Sequence, residues 1–196
     1  MHLAFDICTG VGVAAAFGVR PFLAALAVGA LAAGHVELHF DHTDYAFLQS
    51  WPFLLAMALA AIALVAVERR LTSGRDDRRA LVVVLGIVAG VLGALMFAGS
   101  LARGHYAAWP GWIGGVVCAG VAVAATRPLF ARVRNRLDPD AAAALPVYAE
   151  VIAVAMAALS VVAPPLGAVA LLLLIWLIAA GGRREGQKYA GLRILR

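Results

Sequence analysis

An arginine followed by a proline stands inside each of two long apolar stretches, at Arg20-Pro21 and Arg127-Pro128. Proline removes a backbone donor and clashes with the preceding turn, which costs an ordinary helix about 3 kcal/mol. In lipid the released carbonyl also needs a partner, so such a break persists where protein or a wet cavity supplies one. A guanidinium deep in a bilayer costs at least ~2.5 kcal/mol on insertion scales and therefore turns toward a partner or water. A broken helix end beside a buried cation attracts negative charge. Arg20, with Gly18 and Pro21, is thus the leading candidate for contacting or gating an anionic solute, and Arg127 with Pro128 is the second. The plainer alternatives are that Arg20 snorkels to the headgroups or pairs with an acid, and that Arg127 is an interfacial anchor.

Three acids fall in or beside apolar stretches. Glu150 lies four residues after Pro146 and reads as a proton-coupling carboxylate, as the counter-ion of an arginine, or as an acid favoured by the start of its own helix. Glu68 precedes Arg69-Arg70 and reads as a member of a loop ion pair, and Asp6 is similar. A polar stretch from His35 to Asp44 contains His35, Glu37, His39, Asp41 and His42. On a helix His35 and His39 would share a face, a workable ligand pair for zinc or another divalent ion, and the mixture of imidazole and carboxylate suits a pH-responsive gate. A solvated loop is the competing reading, since no HExxH or Cys-His spacing is present. Phosphate-binding glycine loops, a nucleophile elbow and paired catalytic carboxylates are also missing, so neither an enzyme nor a cofactor is expected. Cys8 and Cys118 sit in apolar sequence without metal or redox spacing and read as small hydrophobes.

The elements that must hold these residues are membrane helices. Of the 196 residues, 64% are hydrophobic, and the mean hydropathy is +0.92, too apolar for a soluble domain of this size. Spans of about 20 apolar residues are expected at roughly 7–33, 51–68, 80–101, 110–131, 146–163 and 165–181. The first is too long for one straight crossing and carries the Arg20-Pro21 break, so a crossing followed by a re-entrant or interfacial piece is one way to fit it. The start Met1-His2-Leu3-Ala4-Phe5-Asp6 lacks the basic region of a secretory signal.

Charge placement sets orientation. Arginines crowd the segment 69–79, the segment 132–136 and the tail beyond Arg183, whereas 35–50 has neither Lys nor Arg. Six crossings with both termini cytoplasmic put every basic loop inside, as the positive-inside bias requires. The net charge of +5 is explained in this way, and no basic stripe interleaved with aromatics points to nucleic acid. Prolines at Pro52, Pro110, Pro146 and Pro165 stand where spans should begin, a position that loses no hydrogen bond. Trp51, Trp109, Trp112 and, fitting least well, Trp176 fall near span ends, where amphipathic rings favour the interface.

The two halves look alike. Gly12 to Leu23 is echoed by Gly120 to Phe130, including the Arg-Pro pair, and Leu85-Gly86-Ile87-Val88-Ala89 by Leu166-Gly167-Ala168-Val169-Ala170. An odd number of spans per copy would insert the second copy upside down, as in secondary transporters. The expected fold is therefore all-α, with six transmembrane helices in two inverted three-helix repeats carrying Arg-Pro breaks. Repeat one covers about 1–103, repeat two about 104–184, and a basic tail 185–196. In that plan Arg20 leans toward the outer half of its span and Arg127 toward the inner half.

The motifs Gly18-Val19-Arg20-Pro21-Phe22-Leu23 and Phe47-Leu48-Gln49-Ser50-Trp51-Pro52, the pair Ala149-Glu150 and the ending Lys188-Tyr189-Ala190-Gly191-Leu192-Arg193 carry a resemblance. The chain resembles, over nearly its whole length, the bacterial membrane family known as domain of unknown function 4126. The resemblance implies a polytopic protein of the bacterial inner membrane and brings no established activity. The pattern often has an acid where this chain has Leu64 and a second acid where it has Val151, which puts a shared acid-dependent mechanism in doubt.

The leading expectation is a small transporter or channel for a small solute, with anions among the candidates. Its midplane site would be framed by Arg20, Pro21, Gly18, Arg127, Pro128 and Glu150, and a chain this short suits a homodimer. The alternatives are a structural or regulatory membrane subunit that moves nothing, and a metal-ion transporter or sensor using the outer histidine loop. A dry interior with Arg20 paired to an acid would favour the subunit.

Overall fold

Prolines punctuate the chain. In the computed structural model, which describes residues 2–34, 40, 43–70, 75–134 and 136–190, five of seven helices begin at or one residue before a proline. The helices are α1 (His2–Val19), α2 (Pro21–Ala33), α3 (Trp51–Arg70), α4 (Arg75–Arg103), α5 (Trp109–Arg134), α6 (Pro139–Val162) and α7 (Pro164–Ala190), with a 3-10 turn at Ala46–Gln49. Proline is tolerated in the first turn because the amide it lacks has no helical acceptor there. No β-strand occurs among the described residues.

Five helices are long and apolar enough to cross a membrane, over Trp51–Glu68, Ala80–Arg103, Trp109–Arg134, Ala144–Val162 and Pro164–Gly181. The chain is a multi-pass membrane protein. A belt of exposed large apolar side chains, among them Leu59 and Ile62 on α3 and Leu172 and Trp176 on α7, suits lipid and would be untenable in water.

The first apolar stretch departs from the expected single crossing. Arg20 is extended (φ −152°, ψ 112°) and Pro21 opens α2, so the chain reverses. The partners of each arm fix their directions. Along α1, the Ser100 hydroxyl reaches the Asp6 carbonyl, Arg103 pairs with Asp6, Gly10 faces Phe97 and Ala14 faces Gly93. α1 therefore runs antiparallel to α4. α2 then returns, with Gly29 against Leu54 while Arg20 sits beside Glu68, antiparallel to α3. With 18 residues in α1 and 1.5 Å rise, that arm is about 27 Å long. The two arms form a deep helical hairpin.

This hairpin revises three expectations. The chain traverses the bundle seven times, counting the hairpin arms, so α1 starts at the end opposite the C-terminal ends of α3, α5 and α7. Among the described residues, the start of α1 and the end of α7 therefore lie at opposite ends. Secondly, the two Arg-Pro segments are not inverted. α5 is antiparallel to α4, with Gly111 on Ala98, Gly115 on Gly93 and Arg127 on Val82, and is therefore parallel to α1. Thirdly, Pro128 lies inside the continuous helix α5, and Pro146 inside α6, which begins at Pro139. Only Arg20-Pro21 is a break. Pro128 stands six residues before the end of α5, and the helix continues through it.

α1 is the centre of the bundle, packed by α4, α5, α6 and α7. Its Ala14, Ala15, Ala16 and Phe17 are fully buried, because glycines and alanines on every face let neighbours close in. Gly12 meets Gly167 and Ser160, and Gly18 meets Ala119 and Ala122. At the end where α1 starts, Phe40 and Leu48 are buried, and the Phe40 amide donates to Gln49 Oε1 at 2.9 Å. α3 lies at the edge, packed on α2 and the 3-10 turn.

A Cβ added at Gly115 would stand 2.6 Å from Ala94 Cα, whereas none of the surroundings of Gly90 lies within 4 Å. Gly115→Leu is expected to lower the thermal unfolding midpoint in detergent by many degrees, through forced separation of α4 and α5. Gly90→Ala should leave it unchanged or raise it slightly, since alanine is the better helix former.

Candidate functional site

The helix break places Arg20 where three other elements converge. Its extended backbone still donates its amide to the Ala16 carbonyl at 3.1 Å, so the terminal turn of α1 is closed before the chain turns. The side chain then reaches away from lipid. Nη1 donates to Glu68 Oε1 at 2.6 Å and Nη2 to Glu68 Oε2 at 3.4 Å, a fork matching the carboxylate in the manner that favours arginine over lysine. Nε lies 3.8 Å from Glu150 Oε1. The three side chains are 12%, 26% and 15% exposed respectively. One guanidinium is thus shared by two carboxylates from different helices, and Glu150 Oε2 is buried without a hydrogen-bond partner.

Beside this cluster opens a cavity of about 340 Å³. The α1–α2 junction supplies Gly18, Arg20 and Pro21; α3 supplies Glu68; α4 supplies Val82, Leu85 and Gly86; α5 supplies Thr126, Arg127, Phe130 and Arg134; α6 supplies Leu145, Pro146 and Ala149. Arg134 is the last residue of α5 and Glu68 is near the end of α3, so the cavity sits at the end of the bundle that carries the basic segments. It is not at mid-depth, as the sequence had led us to expect. Towards the other end α1 is tightly packed, and that direction is closed by Phe17, Met96 and Ala122, each no more than 2% exposed.

The expected residues separate into groups. Arg20, Pro21, Gly18, Arg127 and the α6 turn bearing Glu150 are brought together. Pro128 lies next to the cavity wall without lining it. Arg127 is exposed, and its Nη2 donates to the Val82 carbonyl at 2.6 Å. Arg20 is itself occupied by two acids, whereas no described carboxylate forms an ion pair with the cavity-lining Arg127 or Arg134. Glu68 is the residue that sequence reasoning undervalued. Its neighbours Arg69 and Arg70 offered a local explanation, and its true partner lies 48 positions away. The proposed ligands His35, Glu37, His39, Asp41 and His42 lie outside the described residues. Among the described residues, no three His, Cys, Asp or Glu side chains are grouped to hold a metal.

The shared guanidinium is expected to matter more for charge balance than for its own contacts. Arg20→Met should lower the unfolding midpoint, because it strands two carboxylates in a poorly hydrated place. Adding Glu68→Gln and Glu150→Gln should recover most of the loss, and unchanged stability in the triple variant relative to Arg20→Met would exclude this account.

No curated protein and no solved structure matches the chain significantly. The model of one family, described as domain of unknown function (DUF4126), matches residues 7–184. That match takes in all the helices that frame the cavity and nearly the whole chain: the protein belongs to the DUF4126 family.

Proposed function

We propose that the protein moves a small anionic solute across the membrane, taking it up in the cavity at the basic end of the bundle. The observation that carries this reading is a cleft at a broken helix, open at one end of the bundle and closed at the other, with Arg127 and Arg134 at its rim and an Arg20–Glu68–Glu150 ion cluster in its wall. Such a cluster has more than one charge-balanced arrangement. A proton on Glu150, or an anion that competes with a carboxylate for Arg20, changes which helices the guanidinium ties together, and the ties run between the α1–α2 hairpin, α3 and α6. The arrangement is that of a site whose occupancy is felt by three elements at once.

One specific observation favours the second reading, a packing or regulatory subunit that moves nothing. Arg20 is already paired in the absence of any solute, as a purely structural cation would be. The cavity is what a structural role leaves without a purpose.

Orientation is part of the proposal. The C-terminal ends of α3, α5 and α7, beyond which the sequence is rich in arginine, fall at one end of the bundle, which the positive-inside bias assigns to the cytoplasm. The start of α1 is then outside, and the cavity faces inward. Placement in a bacterial inner membrane rests on the family resemblance.

Two measurements check this. Proteoliposomes loaded with labelled phosphate, acetate or chloride are expected to exchange at least one of these anions, and Glu150→Gln to slow the exchange by about tenfold or more. Absence of flux for all three would favour the subunit reading. In a Cys8→Ser/Cys118→Ala background, His2→Cys should react with a membrane-impermeant maleimide in intact cells, and Lys188→Cys only after lysis. The reverse pattern would overturn the orientation.

A further inference from the structure

The helices around the cavity are unevenly joined. α3 is held along α2 and the 3-10 turn and forms no extended interface with α4 among the described residues, and α5 touches α6 only sparsely. Of the residues that line the cavity, Val82 and Arg127 are exposed at the surface of the bundle. That surface is apolar at the same depth, where Val83, Leu129 and Val147 are exposed. Arg127 is exposed among them, with a backbone carbonyl as its hydrogen-bond partner. Arg134 lies seven residues on, close to two helical turns and about 10 Å further toward the end of the helix, and it too is exposed. No described carboxylate forms an ion pair with either arginine.

A cation on a lipid-facing surface needs a counter-charge that the bilayer itself can bring. Two guanidiniums are spaced about 10 Å apart along one face of α5. The sequence is rich in arginine at 69–79 and 132–136, a composition that draws anionic lipid to a juxtamembrane surface. Arginine also binds phosphate oxygens through paired donors.

We infer that the bundle surface beside the cavity is a binding site for one anionic phospholipid of the adjoining leaflet, its phosphate held between Arg127 and Arg134. The acyl chains lie on the apolar strip of α4 and α5 around Val82 and Leu129. The headgroup leaves Arg20 and Glu68 at the inner wall accessible from the end. This site does not depend on transport, and lipid binding would stand if no solute were moved.

The test is thermal unfolding of the purified full-length protein in detergent, titrated with phosphatidylglycerol, phosphatidylcholine or inorganic phosphate. Phosphatidylglycerol is expected to raise the midpoint by several degrees, and phosphatidylcholine to raise it by much less. The double variant Arg127→Gln/Arg134→Gln should keep its lipid-free midpoint, both side chains being exposed, and lose most of the phosphatidylglycerol shift. Arg136→Gln, exposed at the same end but outside the cavity, should retain it. Equal shifts from the two lipids, an undiminished shift in the double variant, or loss of the shift in Arg136→Gln would each overturn the site. An equal shift from inorganic phosphate would show a site for free anions in its place. Should the double variant fail to fold, native mass spectrometry of the unaltered protein decides: retention of phosphatidylglycerol over phosphatidylcholine supports the site, and equal retention overturns it.

Discussion

The reversal of the chain at Arg20-Pro21 is the constraint on which the rest of the architecture depends. A single extended residue turns what would be one overlong crossing into two antiparallel arms. That turn decides which way α1 faces, how many times the chain traverses the bundle, and at which end the first residue emerges. It also delivers a guanidinium to the base of the hairpin, in a place where a charge is tolerable only if answered. Glu68 and Glu150 answer it from two other helices. The bend, the ion cluster and the cavity are therefore one feature described three ways. Removing the amide at Pro21 makes the turn, the turn makes the space, and the space has to be polar on one side.

The packing around α1 explains why this polar arrangement can exist in so small a chain. A helix surrounded by four others ordinarily needs long side chains to fill the gaps between cylinders. Here glycine and alanine let backbones approach directly, so that Gly12 lies against Gly167 and Gly93 against Gly115. Close approach substitutes dispersion contacts for hydrophobic driving force, which is weak between helices already in lipid. The bundle is consequently tight toward the Asp6–Arg103 end and looser toward the basic end, where larger side chains such as Phe130 and Leu145 diverge around the cavity.

Much of this was legible from the chain itself. Membrane class followed from composition, helix starts at Pro52 and Pro110 from proline's place in the first turn, and the break at Pro21 from an apolar stretch too long for one span. That Glu150 is a counter-ion of Arg20 was among the readings its place in the sequence allowed. Parity was missed, because a hairpin and a single crossing have the same hydropathy, and nothing in apolar periodicity says which way the second arm points. Pro128 and Pro146 misled for a related reason. Local rules report what a proline costs, and a helix bounded by neighbours can absorb that cost. Glu68 escaped notice because a near neighbour of opposite sign is always a sufficient local explanation, while the partner that matters is set by tertiary structure.

The edge position of α3 has a consequence for how freely different parts of the chain can vary. On α1 a side chain added at Gly12 or Gly18 collides with a neighbouring backbone, so those positions are confined to glycine. α3 shows lipid most of its circumference, with Leu55, Leu59, Ile62 and Val65 turned outward, and apolar residues there are interchangeable at little cost. Glu68 is the exception at the end of that permissive helix. Two neighbouring segments of one small protein thus live under opposite rules, one governed by shape and the other by little more than greasiness.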